Sequence, residues 1–547
     1  MNLLPFDFKK LKEEIVNSQI WRSMFRGGTW KNTPRDRAQH ILGNVWLHLH
    51  PARVKPRSTK FTYTWGLGGI SFLLFLILTV TGVLLMFYYR PTVGLAYQDM
   101  KDLEFVVTLG RLMRNMHRWA AHAMVVVVIF HMIRVFLTGG YKTPREFNWA
   151  IGVILLVLTL FLSFTGYLLP WDQLAIWAVT VGTNMASSTP FVGAEGPFSS
   201  LLGVGIKNDA RFGLLGGTMV GGNTLLRFYV LHCVAVPVLT GILIIVHFWR
   251  IRKDGFSAAT LPGDDPNKKV ETWPNLIVRE YIAAILVLVA LLVWSILQNA
   301  PLEELANPNV TPNPSKAPWY FTGLQELLVY FDPWIAGVVV PGIIVLGLCA
   351  IPYLDTDPQK GLGYYSIKER PFANTIFLLG IGMWFTLMAI GTFMRGPNWA
   401  WYWPWQDWSV HKPPPASLQS WPMYVGGPLI VAYFAIGLFL PRLVKRELPF
   451  KKAALGGLLV FIALGLVAAL LPHLTLAKGI ALGIFLFVYY VIGFLMPHKF
   501  LKNLDQVRYI VTMALLLMML GVLLKIGVRL GFDVKYIFTL PQFSLSI

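Results

Sequence analysis

The sequence predicts an all-α, polytopic membrane protein of about eleven spanning helices, in groups of four, three and four. Three observations carry that expectation. Of 547 residues, 55% are hydrophobic and only 14% charged, with a mean hydropathy of +0.57; a soluble chain cannot bury that much apolar surface. Eleven stretches approach the roughly 20 apolar residues that a bilayer core demands: 67–88, 117–137, 147–169, 229–249, 277–297, 334–353, 372–394, 423–441, 453–472, 477–496 and 508–530. Lys and Arg concentrate in every second connection, as they do in loops kept on the cytoplasmic side.

In chain order, residues 1–65 form a cytoplasmic N-terminal region with twelve Lys and Arg against four acids. Its stretch "FDFKKLKEEIVNSQIWRSMF" reads as an amphipathic helix lying on the membrane surface. It is too charged ahead of the first apolar run for a cleaved signal peptide. Residues 66–255 hold the first four spans, dense in His, Arg and Gly. Residues 256–400 hold three spans with Pro- and Trp-rich loops, and 401–547 hold four more, with His473 and His498 placed only at loops. The connections "RKDG", "NKKVE", "IKER", "RLVKRELPFKK" and "HKFLK" are basic, whereas "LEELANPNV" after the fifth span is acidic. Lys525 and Arg529 interrupt this alternation at the outer end of the last span. Loop charge of this kind accounts for the net +20 without nucleic acid as a partner. Cys233 and Cys349 sit in apolar runs and offer no disulfide framework, no paired metal-ligand spacing and no CxxCH for covalent haem.

Histidines organise the first group. His117 and His131 are fourteen residues apart in the second span, a rise of roughly 21 Å that returns to within roughly 40° of the starting direction. His232 and His247 in the fourth span are fifteen apart, about 60° out of register and still on one face. Two parallel helices with imidazoles at matching depths make two bis-imidazole sites, His117 with His232 outside and His131 with His247 on the cytoplasmic side. Haem iron is the natural occupant of both. A lone intramembrane histidine could instead bond a neighbouring helix or relay protons, but four in matched pairs argue for ligation. His122 points elsewhere on its helix and is given no ligand role.

Glycine supplies a second signal. Gly68 and Gly82 in the first span, and Gly152 and Gly166 in the third, repeat the fourteen-residue step. Bare backbone lets a flat ring approach closely, so the first group reads as a four-helix bundle sandwiching two stacked haems b. Arg114, Arg118 and Arg134 at the ends of the second span, and Arg227 before the fourth, can pair with anionic propionates or snorkel to the interface.

These residues carry a family resemblance. "HRWAAHAMVVVVIFHMIRVFLTGGYKTPRE", "TGYLLPWDQLAIWAV" and "RFYVLHCVAVPVLTGILIIVHFWRIRKDG" resemble the cytochrome b family of Rieske/cytochrome b complexes. The fifteen-residue step and "FYYRPTV" are similar to its chloroplast-type branch, and residues 273–395 resemble that branch's three-helix partner subunit, here fused. The likeness covers about residues 60–395; the last four spans have no counterpart in the family core. It implies a quinol:cytochrome c-type oxidoreductase subunit in a cell or equivalent energy-transducing membrane. Quinol would be oxidised at the outer face, with one electron passing to a Rieske iron–sulfur protein and then a c-type cytochrome. The other would pass through two haems b to a cytoplasmic-side quinone, with proton release outside and a homodimer as family precedent.

Two departures from the family matter. Its Pro-Glu-Trp-Tyr motif reads Ala317-Pro318-Trp319-Tyr320 here, so the glutamate that takes the quinol's proton is replaced by proline. Trp319 and Tyr320 keep the motif's quinol-site role. Glu326 is the expected substitute base, with Asp172 of "PWDQ" or water as the alternative. The cysteine that attaches an extra haem in the chloroplast branch is matched by Gly66, which implies no covalent haem c. Arg252 matches a position near the family's quinone-reduction site. The five tryptophans of "GPNWAWYWPWQDW" read as an outer interfacial belt or a docking surface for a redox partner. Two other readings stay open: a di-haem anchor between quinone and a dehydrogenase, and a transporter with structural histidines.

Overall fold

A computed structural model describes residues 8–19, 21, 32–44, 47–260, 265–355, 357, 360–413, 417–443, 450–468, 476–501 and 503–547. Every apolar stretch forms a helix: α1 (Leu67–Met86), α2 (Gly110–Leu137), α3 (Glu146–Tyr167), α4 (Gly222–Asp254), α5 (Ile277–Leu297), α6 (Ile335–Leu354), α7 (Pro371–Phe393), α8 (Met423–Leu443), α9 (Phe450–Ala468), α10 (Leu476–Tyr490, continued by Val491–Leu495) and α11 (Gln506–Phe532). By length and composition, α1–α7 and α11 can cross a membrane. The apolar parts of α8, α9 and α10 are shorter (Met423–Phe439, Lys452–Val467 and Gly479–Leu495). The chain is an all-α, multi-pass membrane protein.

Three helices contain a π-turn, at Leu231–Ala235, Ile335–Val339 and Val491–Leu495. Each ends two residues before a proline: Pro237, Pro341 and Pro497. The cause is shared. Proline has no N–H to give, and its ring crowds the carbonyl four residues back, here Cys233, Gly337 or Gly493. Widening the turn by one residue relieves that clash. In α4 the widened turn, closed by Val236 N–H on the Leu231 carbonyl, contains His232.

Helices α1 and α2 run against each other, α4 packs on α3, and α5 lies along α2. At the end that holds His117 the bundle is closed by a buried cluster of Tyr89, Met100, Leu103, Trp171, Leu225 and Phe228. At the other end Phe136 of α2 stacks on Phe377 of α7, with ring centroids 3.7 Å apart. Beside them Arg370 donates to the Tyr141 hydroxyl at 2.6 Å and the Phe136 carbonyl at 2.8 Å, while Asp355 accepts from Tyr141 at 2.6 Å and pairs with Lys142 at 3.0 Å. This network ties the three-helix group to the loop between α2 and α3.

The last four helices attach to the second group. Buried Tyr509, Met513, Leu516, Leu517 and Leu520 of α11 pack with Phe372, Ile376 and Leu379 of α7 and with Tyr433 and Phe434 of α8. Lys525, only 3% exposed, donates one ammonium hydrogen to the Lys535 carbonyl at 2.6 Å. Past α11 the chain folds back. Ser546 accepts from the Trp334 indole at 3.0 Å and Phe543 from the Phe198 amide at 3.1 Å. His498, expected at a loop, lies within the short helix Met496–Phe500; His473 lies outside the described residues. The N-terminal amphipathic stretch is described as a helix over Phe8–Asn17.

Candidate functional site

His117 lies in α2 and His232 in the π-turn of α4. His117 and His232 face each other with ring centroids 6.1 Å apart and planes at 79°. Two metal–nitrogen bonds of about 2 Å each, plus half an imidazole at either end, need roughly that span. Each ring is fixed from behind. Thr81 gives its own hydroxyl hydrogen to the Ile77 carbonyl at 2.7 Å, so it can only accept from His117 Nδ1, 2.9 Å away. His232 Nδ1 lies 3.1 Å from the Leu162 carbonyl and 3.3 Å from the Thr165 hydroxyl. Carbonyls only accept, so the proton is on Nδ1 and the Nε2 lone pair is left to bind metal. These residues fit haem b on the donor chemistry of this chain alone.

All four glycines stand against these imidazoles. A Cβ on Gly82 would lie 3.1 Å from His117 Cε1, and one on Gly166 only 2.4 Å from His232 Cε1. On the other side, Gly68 faces His131 at 3.3 Å and Gly152 faces His247 at 3.6 Å. The glycine gaps receive the histidine edges themselves. The Nδ1 atoms of His131 and His247 are buried without a hydrogen-bond partner.

The arginines separate into two kinds. Arg118 lies over the Tyr167 ring at 4.4 Å, with a buried Nε that has no partner, which suits an anionic group beside His117 and His232. Arg114, expected to contact a propionate, is committed elsewhere. It donates to the Ala300 and Pro301 carbonyls at 3.0 and 2.8 Å and holds the end of α5. Arg134 donates to the Tyr63 carbonyl at 3.1 Å, and Arg227 to the Gly213 carbonyl. Arg252 has no hydrogen-bond or ion-pair partner among the described residues and sits in the last turn of α4.

Around the motif loop, both candidate carboxylates are occupied. Asp172 caps the helix Gln173–Ser187, accepting from Ala175 N at 2.8 Å, and its second oxygen accepts from Glu303 N at 3.1 Å. Burial raises its carboxyl above the ordinary range, against the pull of those two amides and of Arg118 and Arg114. Replacing Asp172 with Ala removes the cap and strands the Glu303 amide, so the solubilised chain should lose about 1–2 kcal/mol of stability. Asp172→Asn, which keeps the oxygen facing Ala175, should lose less; thermal denaturation of the two variants checks the order.

Glu326 is fully buried in the helix Thr322–Tyr330. One oxygen takes Arg395 at 2.5 Å and the Tyr330 hydroxyl at 2.8 Å; the other takes Arg395 at 2.9 Å and the Trp399 indole at 3.0 Å. These contacts turn Glu326 toward Arg395, Tyr330 and Trp399, where the sequence suggested an exchangeable base. Tyr320 is buried, and burial pushes its phenol up to about 12, with Arg118 pulling the other way. Trp319 gives its indole N–H to His122 Nδ1 at 2.9 Å. Gly66, opening α1, is left-handed with φ 62°.

Comparison with known proteins then decides the family. The model for the N-terminal part of cytochrome b, b6 and petB matches residues 53–255, and that for the C-terminal part, b6 and petD, matches residues 305–405. Cytochrome b6 of Gracilaria tenuistipitata var. liui is 45% identical over 191 residues, 35% of this chain and 82% of that protein. The cytochromes b6 of Porphyra purpurea and Pyropia yezoensis match to the same 45% over 191 residues. The chain belongs to the cytochrome b family. A solved structure titled "Hyperthermophilic respiratory Complex III" shares the fold at TM-score 0.53 and 22% identity, over 70% of this chain and 91% of its own. This is thus a membrane cytochrome b of a quinol oxidoreductase complex, with both family parts in one chain and haem b as the family's cofactor.

Some of this cytochrome b's site escaped the sequence reading. Thr81 and Thr165 each precede a glycine that faces a histidine ring ("TVTG", "SFTG"), a repeat that could have revealed them. Of the five tryptophans that the sequence places in one belt, Trp399 gives its indole N–H to Glu326, while Trp401, Trp403, Trp405 and Trp408 are exposed. Arg395 carries no local signal.

Proposed function

We propose that this cytochrome b is the quinol-oxidising subunit of a Rieske/cytochrome b complex, working as a homodimer in a cell membrane with its N-terminus cytoplasmic. Quinol yields two electrons at the outer face. One passes to a Rieske iron–sulfur protein and on to a c-type cytochrome; the other crosses through two haems b to a quinone near Arg252, and protons leave outside. The observation that carries this reading is the pair of facing imidazoles 6.1 Å apart with both Nδ1 atoms anchored. His117 with His232, and His131 with His247, would hold the haems, and Arg118 a propionate at the outer one. Haem b in each site supplies a one-electron carrier near each membrane face.

The chain's own residues frame the outer pocket. Tyr320, protonated at every physiological pH, offers a hydrogen-bond donor. Trp319 shapes the loop beside it. Asp172 and Glu326 hold the pocket's frame through their backbone and arginine partners, so the quinol's proton passes to water at the outer surface.

Purified complex provides the test. Haem extraction should give two haems b per chain, and quinol-driven reduction of an external c-type cytochrome should vanish when the Rieske protein is removed. Fewer than two haems would overturn the ladder. Turnover that survives without a Rieske protein would favour the di-haem anchor.

A further inference from the structure

His122 lies in α2, five residues past His117, and has no ligand role. Its ring nonetheless meets the motif loop on both of its aromatic residues. Nδ1 accepts from the Trp319 indole at 2.9 Å, the ring stacks on Trp319 at 6.4 Å with planes at 27°, and it stands edge-on to Tyr320 at 6.0 Å. An indole N–H can only donate, so Nδ1 carries the lone pair and His122 is the neutral Nε2–H tautomer. Trp119, one turn before it on α2, packs against the same ring at 5.5 Å. Among the described residues no other imidazole touches Trp319 or Tyr320.

Position gives this contact its meaning. Pro318 fills the place where the family carries an acid, and the nearby carboxylates of Asp172 and Glu326 face other partners. Within the Ala317–Phe321 stretch, Ala317 N donates to Gln325 at 2.9 Å, Phe321 N to the Pro318 carbonyl at 2.7 Å, the Trp319 carbonyl accepts from the Thr322 hydroxyl at 2.7 Å, and the Trp319 indole donates to His122. The last of these is the one that reaches the helix carrying His117. We infer that His122 is a positioning residue of the outer quinol pocket, pinning Trp319, and with it Tyr320, at a fixed distance from the outer histidine pair. This deepens the quinol-site reading proposed above and rests on it.

The test uses the assembled complex and four variants. His122→Ala removes the acceptor, and Trp319→Phe removes the donor while keeping a ring. His122→Asn keeps an oxygen close to where Nδ1 stood. One neutral hydrogen bond supports a rise of about 3- to 10-fold in KM for quinol in each of the first two variants. With kcat and the haem spectrum nearly unchanged, the double variant should be no worse than either single one. His122→Asn should stay within about 2-fold of the natural chain, because its carbonyl still accepts. Effects that multiply in the double variant, or Asn behaving as Ala does, overturn the pin. Hydrogen–deuterium exchange over residues 311–325 reads the pin without turnover. Faster exchange in His122→Ala, restored in His122→Asn, supports it even if the natural complex proves not to oxidise quinol; unaltered exchange in His122→Ala overturns it.

Discussion

Replacing His232 with Ala should abolish half of the b-type haem signal and lower quinol-dependent turnover by roughly 100-fold or more, since under the proposed function His232 would be one of the two residues holding the haem beside His117. The inner pair is a separate site on the same helices, so the remaining signal should persist. A reduced-minus-oxidised spectrum with haem extraction reads both. The glycines sharpen the prediction, because each stands at a different distance from its histidine. Alanine at Gly166 would place a methyl 2.4 Å from His232 Cε1, inside van der Waals contact, and the ring cannot yield without losing the Leu162 carbonyl. Alanine at Gly152 meets His247 at 3.6 Å, an ordinary contact. Gly166→Ala should therefore resemble His232→Ala in haem content, and Gly152→Ala should retain both haems. Equal loss from the two glycine variants, or none from Gly166→Ala, would mean that these positions serve helix packing alone.

The ladder was legible because it depends on helical rise and rotation, which a sequence states directly. Spacing paired the histidines and matched each glycine pair to them. What spacing could not give was the π-turn. Pro237 stands in the sequence, but its effect on the turn before it depends on how the helix relieves the clash. A uniform helix puts the fifteen-residue step about 60° out of register, and the widened turn that contains His232 departs from that uniform geometry. Long-range partners were also out of reach. Arg114 carries the charge that a propionate needs, yet its donors are taken by carbonyls 186 and 187 residues away. Nothing local in "LMRNMH" announces that. The same holds for Glu326, whose position eight residues past Pro318 suggested a replacement base while its partners lay 69 and 73 residues further on.

Glu326 carries the other large effect. Its carboxylate is fully buried, and the side chain of Arg395 is 11% exposed. Glu326→Gln leaves the guanidinium buried opposite a neutral amide, and breaking a buried pair in this way costs about 3–5 kcal/mol. Thermal denaturation of the solubilised complex should register that loss. Glu326→Leu combined with Arg395→Met should recover much of it, because an apolar pair of similar volume leaves no uncompensated charge. The pH profile separates this strut from a proton acceptor. A strut leaves the profile of turnover unshifted in whatever fraction of Glu326→Gln remains folded, since no titrating group of the reaction has been removed. A base would instead leave stability nearly intact, lower turnover by roughly 100-fold or more, and erase one limb of the profile. Stability retained with a lost limb would return Glu326 to the chemistry. Stability lost with an unshifted profile fixes it as the ionic post on which the motif helix and α7 are held together.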